Sequence, residues 1–298
     1  MMAQPPRIAG PVAQPRRPRI APPPGAVDSH AHLFGPEARF PYAEGRGYTP
    51  PDAPLESYLA LLDQLGLARG VLVQGNAHGF DNAVLLDALE RAPDRLRAVA
   101  ITDTRIPAAT LRGWHRLGMR GLRFHEHAAE AKPGYVRGVG LEALPHFRAV
   151  MRDLGWVVQV FCDHRRLPAI AEDLAAISAE MPVVIDHMLT VPAARGIADP
   201  GFQALLRLVG EGKAHVKLSG AYRLSKDFPD YRDARPFHDA LLAANPNALL
   251  WGTDWPHTSI DAAVMPDDGA LLDLFMDWTP RAEDRVRVLV ENPDRLFR

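Results

Sequence analysis

Three short stretches of the chain concentrate side chains able to move protons or hold a metal. They are Val27-Asp28-Ser29-His30-Ala31-His32, Val184-Ile185-Asp186-His187 and Trp251-Gly252-Thr253-Asp254-Trp255-Pro256-His257. In the first, His30 and His32 follow an apolar run, Ala26 to Ser29, that reads as a strand. Residues i and i+2 of a strand share a face, so the two imidazoles project to one side. An isolated HxH is equally well explained by two hydrogen-bonded structural histidines. A third imidazole from His187 and a carboxylate from Asp254 make that reading harder to sustain. The four together allow two chemistries. They can bind one divalent metal, Zn²⁺ by donor type, that acidifies a bound water. Alternatively, the histidines can donate hydrogen bonds to a carbonyl oxygen as it becomes an oxyanion, while Asp254 takes a proton from water. Both end in attack of water on an ester or amide carbonyl.

Such a set needs a scaffold that brings distant strand ends together, and the hydrophobic pattern supplies one. Short Val- and Leu-rich runs are expected as strands at 26–29, 69–75, 96–101, 120–125, 156–162, 182–188, 215–220 and 248–257. Helical patterns separate them at 55–66, 83–91, 108–117, 141–154, 167–178, 202–209 and 237–244, and two more close the chain at 271–276 and 283–290. Continuous apolar strands signal a parallel sheet buried on both faces. Eight β/α units predict a single-domain (β/α)₈ barrel over 26–298, in which the strand C-termini build the active site. The runner-up is an open doubly wound sheet, against which stands the lack of a G-x-G-x-x-G after the first strand. The strand ends present further polar residues: Asn76 and His78, Arg123 and His125, Tyr222 and Arg223, and His257. For His78, His125 and His257 a supporting role in the loops is the simpler reading. Asp is also common at helix entries for capping reasons, a bland alternative for Asp254.

The remaining composition narrows the class. The chain has 298 residues, 47% hydrophobic and 23% charged, with a formal net charge of -2 and a pI near 6.6. No basic stripe points to nucleic acid or to a membrane surface. No apolar run is long enough for a transmembrane helix, and no apolar stretch follows the early arginines as a secretory signal requires. Cys162 is the single cysteine, which excludes an internal disulfide and a multi-cysteine metal site and fits a cytoplasmic location. Eight prolines between Pro5 and Pro24 make residues 1–25 a Pro-rich arm, expected to be flexible. The loop Gly35 to Pro54 is long for this fold and is expected to be functional or disordered. Nothing in the sequence speaks to oligomeric state.

With these segments in order, the chain resembles the amidohydrolase superfamily, and more narrowly its 2-pyrone-4,6-dicarboxylate hydrolase branch. H-A-H-L-F-G-P (30–36), F-P-Y-A (40–43), Y-T-P-P-D-A (48–53), V-Q-G-N-A-H-G-F-D-N (73–82), R-G-L-R-F (120–124), V-I-D-H-M (184–188), L-W-G-T-D-W-P-H (250–257) and M-P-D-D-G (265–269) carry the likeness, which spans about residues 26–298. The resemblance implies a hydrolase of a carboxylated lactone in aromatic-compound degradation. Asp254 would activate water, and His30, His32 and His187 would polarise the carbonyl. It implies no required cofactor. No lysine at the end of the fourth strand and no histidine on the fifth argue against two metals, while one ion held by His30, His32, His187 and Asp254 stays open. Tyr48, Arg123 and Arg223 match positions that hold substrate carboxylates, with Asn76 and His78 beside them; a guanidinium suits that task. Two departures alter one carboxylate pocket. Glu126-His127-Ala128-Ala129 stands where a second arginine is expected, and Phe161 stands where a tyrosine is expected. An anionic lactone of the muconolactone or sugar-acid type is therefore weighed beside the pyrone dicarboxylate. The alternatives are a lactone isomerase, a metal-dependent decarboxylase, and a binding barrel without turnover.

Overall fold

A computed structural model describes residues 5–126 and 138–298. Eight parallel strands form one sheet in sequence order: β1 (Val27–Ala31), β2 (Arg69–Val73), β3 (Leu96–Ala100), β4 (Met119–Glu126), β5 (Val157–Cys162), β6 (Val183–Ile185), β7 (His215–Lys217) and β8 (Leu249–Leu250). Helices connect them, as expected of a (β/α)₈ barrel. Leu55–Leu65 illustrates why they form. Leu55, Tyr58, Leu61, Leu62 and Leu65 recur at helical spacing and are buried, and Gly66, at φ 76°, ends the helix in the left-handed region that glycine adopts without strain. Burying one such leucine stabilises the fold by roughly 1.5–3 kcal/mol.

The sheet closes on itself through backbone hydrogen bonds. Ser29 N donates to Trp251 O (2.9 Å), Asp254 N to His30 O (2.8 Å) and His32 N to Trp255 O (2.7 Å). This approach requires Gly252, because a Cβ there would lie 2.6 Å from His30 N. The carboxylate of Asp28 reinforces the closure. It accepts from Thr253 N (2.9 Å), Thr253 Oγ1 (2.7 Å) and Tyr58 OH (3.1 Å).

Inside the barrel, alternate residues point to the axis. Val27, Val71, Val73, Val99, Val157, Val184 and Leu250 form an apolar cluster that Leu296 and Phe297, at the end of the chain, close off. A larger apolar cluster fills the space between strands and helices.

The last three strands are shorter than their apolar runs imply. After Ile185 the chain enters a turn in which His187 (φ 53°), Met188, Leu189 and Thr190 all have positive φ. After Leu250 it leaves the sheet towards Asp254 (φ 61°). The pattern expected as a helix at 283–290 divides into Ala282–Val286 and a wider turn, Arg287–Glu291.

The described part of the Pro-rich arm lies along the barrel. Pro6 O accepts from Thr49 N (2.8 Å), and Ile8 N donates to Thr49 O (3.0 Å). Arg19 donates to Asp273 through its backbone N (2.7 Å) and Nε (3.1 Å), and Arg16 Nη2 reaches the same carboxylate at 2.7 Å. Among the described residues no helix is long and apolar enough to cross a membrane.

Candidate active site

The residues nominated at the strand ends meet at one mouth of the barrel. His30, in β1, and His32, just past it, bring their Nε2 atoms to 3.3 Å. The His187 ring stands 4.5 Å from that of His30, centre to centre. Asp254 completes the group: its Oδ1 lies 3.4 Å from His32 Nε2, 3.7 Å from His30 Nε2 and 3.8 Å from His187 Nε2. All four side chains are buried. His187 and Asp254 hold their positions with left-handed backbone, a conformation that costs non-glycine residues of order 1–3 kcal/mol and recurs at functional sites.

The two oxygens of Asp254 differ. Oδ2 accepts from Tyr222 OH (2.7 Å) and Arg223 Nε (2.7 Å). Oδ1 has no aligned hydrogen-bond partner among the described residues and faces the three imidazoles. Burial alone would raise this carboxyl, but Arg223 and His187 outweigh it and hold it well below the usual range. Behind Tyr222, His257 reaches the phenol oxygen with Nδ1 and Asp268 Oδ1 with Nε2, both at 3.0 Å. Asp254 therefore does not cap a helix. It is held on one oxygen and open on the other.

Beneath the histidines lies a layer of buried charge that sequence spacing did not reveal. Asp186 accepts from Arg123 Nε (2.9 Å) and Nη2 (2.8 Å) and from Gln159 Nε2 (2.9 and 3.1 Å). Burial pushes this carboxyl up, yet Arg123 and Lys217 more than offset it and leave it well below the usual range. Lys217, fully buried in β7, donates to Gln159 Oε1 at 2.9 Å and sits 3.1 Å from His30 Nδ1. Burial pulls its ammonium down to about 8. Burial, with Lys217 close by, also holds His30 well below the imidazole range, and burial sets His187 at about 4. Both rings are neutral at pH 7.

Tautomers follow from partners. His32 Nδ1 lies 2.8 Å from Val73 O. A carbonyl only accepts, so Nδ1 carries the proton and neutral His32 has a bare Nε2. His187 Nδ1 meets Ser219 Oγ at 2.8 Å, a hydroxyl that can donate to it.

A cavity of about 160 Å³ opens above this group, lined by His32, His187 and Asp254 together with Tyr48, Asn76, Arg123 and Arg223. Gly75, Phe161, Thr258 and Ser259 complete its wall. Phe161 lies under the Arg123 guanidinium, 4.7 Å from its ring centre. Arg123 commits Nε and Nη2 to Asp186, and its Nη1 makes no hydrogen bond among the described residues. Arg223 directs Nη1 and Nη2 at Thr258 O, both at 3.4 Å.

Two nominated residues do not line the cavity: His30, fully buried among the other imidazoles, and, turned away from the site, His78. It packs against Phe34 and Tyr42, and its Nδ1 donates to Pro41 O at 3.0 Å, which places it in support of the loop after β1. In the altered pocket, Glu126 accepts from Leu141 N (2.8 Å) and Arg166 Nε (3.0 Å). His127, Ala128 and Ala129 lie outside the described residues.

Two groups bring metal-type donors within 4.8 Å of one another: His30, Asp186 and His187, and His30, His32 and Asp254. Their spacing suits a divalent ion. The ammonium beside His30, the residue common to both, does not.

Comparison with known proteins finds relatives in sequence and in fold. The 4-sulfomuconolactone hydrolase of Rhizobium radiobacter is 40% identical over 296 residues, covering 98% of this chain and 96% of that protein. The 2-pyrone-4,6-dicarboxylate hydrolase of Comamonas testosteroni is 35% identical, covering 96% and 94%. The crystal structure of a putative 2-pyrone-4,6-dicarboxylic acid hydrolase from Pseudomonas putida superposes with a TM-score of 0.75 at 31% identity, over 92% of this chain and 97% of that one. The sequence also matches the profile described as amidohydrolase over residues 27–298. The barrel, the order of its motifs and these likenesses agree, and the chain belongs to the amidohydrolase family.

Proposed function

We propose that the protein hydrolyses a lactone that carries anionic substituents, with Asp254 as general base. The observation that carries this reading is the divided Asp254 carboxylate, with Oδ2 fixed by Tyr222 and Arg223 and Oδ1 open among three imidazoles at the floor of a cavity that two arginines line.

A substrate water beside Oδ1 can donate one proton to it and the other towards the bare Nε2 of His32. Attack on the lactone carbonyl forms a carbon–oxygen bond and passes the first proton to Asp254. The carbonyl oxygen becomes an oxyanion, which accepts from the Nε2–H groups of His30 and His187. Such preorganised donors are worth about 10²–10³ in rate each. Collapse breaks the ring carbon–oxygen bond, and the leaving oxygen recovers the proton from Asp254. The product is the open hydroxy acid, or its keto form from an enol lactone. His32 thus aligns water, and the polarising of the carbonyl falls to the other two histidines. No step requires a metal.

Arg123, Arg223 and Tyr48 supply the anion-binding wall. Because Phe161 offers no hydroxyl, the second anionic group is held differently than in a pyrone dicarboxylate pocket. A muconolactone bearing a carboxylate and a sulfonate suits this wall, in line with what the 40%-identical relative is named for. The test is a screen of carboxylated and sulfonated lactones with a pH indicator, with and without chelator, and with the product identified by NMR. Ring opening that survives chelation and disappears in Asp254→Asn is expected. Full activity in Asp254→Asn would sink the mechanism.

A further inference from the structure

Lys217 is buried on all sides beneath His30, where its ammonium donates to Gln159 Oε1 at 2.9 Å, meets His30 Nδ1 at 3.1 Å and forms an ion pair with Asp186 Oδ1 at 3.5 Å. The amide of Gln159 cannot turn round, because its Nε2 donates to both oxygens of Asp186. Asp186 in turn is filled by Arg123. His30 Nδ1 also lies 3.3 Å from Asp186 Oδ1. A proton on Nδ1 directed there would, however, face the ammonium donor against donor. It would also strip a buried cation of one acceptor, a costly loss away from water. The arrangement is satisfied when Nδ1 is bare.

Across the ring, His30 Nε2 then carries the proton and points at His32 Nε2, 3.3 Å away, which Val73 O leaves bare. One ring donates and the other accepts. A divalent ion needs both nitrogens bare. In the arrangement Lys217 enforces, His30 offers none, since Nδ1 is taken by the ammonium and Nε2 by its own proton.

We propose that Lys217 is a positioning residue that fixes His30 in the Nε2–H tautomer, making it a donor to the reacting oxygen and withholding from a metal the histidine common to both candidate ligand groups. The donor role rests on the lactonase reading, whereas the tautomer and the exclusion of metal stand without it.

The test uses the full chain labelled with ¹⁵N in its imidazoles, with the His30 signals assigned by their loss in His30→Gln. At neutral pH the expected spectrum shows His30 Nδ1 unprotonated and Nε2 protonated. Zinc titration by calorimetry is expected to show no site that His30→Gln removes. In Lys217→Met the tautomer is expected to change, zinc affinity to rise at least about tenfold, and kcat to fall by about 10–100-fold with a smaller change in KM. A protonated Nδ1 in the wild type, or tight wild-type zinc binding lost in His30→Gln, overturns the proposal, as does a Lys217→Met protein that keeps the wild-type tautomer. Should Lys217→Met fail to fold, the wild-type spectrum and titration decide alone. A protein with the expected tautomer that opens no lactone would instead fail the functional reading.

Discussion

Along the inward faces of β4 to β7 the barrel changes character within one alternation. Gly121 gives way to Arg123, Val157 to Gln159, Val184 to Asp186 and His215 to Lys217. The step is only about 7 Å along a strand. Below it, valines pack against Leu296 and Phe297 with no charge to satisfy. Above it, two cations and a carboxylate share a dry layer with an amide between them. The lower half contributes stability by removing apolar surface from water. The upper half is a weak contributor at best, since desolvating paired charges consumes most of their attraction. Its value is that it leaves the groups above it with one orientation and one protonation state. The two halves should therefore respond differently to substitution.

The largest effect is expected at the top. Asp254→Asn should lower kcat by about 10³–10⁴-fold with little change in the urea midpoint, because it removes the proposed base and keeps the shape. One layer down, Asp186→Leu strands Arg123 and Lys217 without their counterion, and unfolding should become easier by about 3–5 kcal/mol in urea titration. Retention of wild-type stability there would contradict the account of the polar layer.

Lowering pH loads both halves at once, without mutation. Burial sets His187 at the top and His215 at the bottom both near 4. The unfolded chain takes up these protons near 6.5, so it binds more of them between pH 6.5 and 4, and stability falls as pH falls through that window. Each group contributes on the order of 3 kcal/mol. Asp28 opposes them, because burial raises it to about 6 and the folded state takes up its proton first. His30, also held down by burial, acts in the same direction as the other two histidines, so a net loss of at least about 3 kcal/mol between pH 7 and pH 4 is expected from chemical denaturation, and a rise in stability over that range would be incompatible with buried neutral histidines. The smallest of these effects belongs to the bottom. Leu296→Ala should cost about 2–3 kcal/mol and leave kcat within twofold under conditions where the protein stays folded. A tenfold drop in kcat would show that the plug and the site are not independent.

The sequence disclosed the upper half unevenly. His30 and His32 were legible because a strand's period forces them together, and His187 and Asp254 because each ends an apolar run. The strands themselves were legible from continuous Val and Leu, although β8 was overestimated: Trp251 and Trp255 are as apolar as a strand residue, yet beyond Leu250 the segment pairs only with β1 and His32 among the described residues, and Asp254 turns it at φ 61°. Lys217 and Gln159 were not legible, nor was Asp186 as the acid that Arg123 pairs with. Their partners lie on other strands, 58 residues apart for Lys217 and Gln159 and 63 for Arg123 and Asp186, and no local spacing encodes such a meeting. A lysine in the apolar run of β7 was the available signal, since a lone charge at an inward position needs partners. His78 shows the converse, being close to a strand end in sequence yet turned towards Pro41 in space.

The hydrogen bonds that close the barrel have a consequence for how the protein comes into being. They join β1 to the segment after β8, and the same two segments carry His30, His32 and Asp254. On a ribosome the first emerges long before the second, with Asp28 and Thr253 separated by 225 positions. A nascent chain that stops short of that final crossing lacks Asp254, the proposed base, so the proposed reaction cannot begin before the ring is complete.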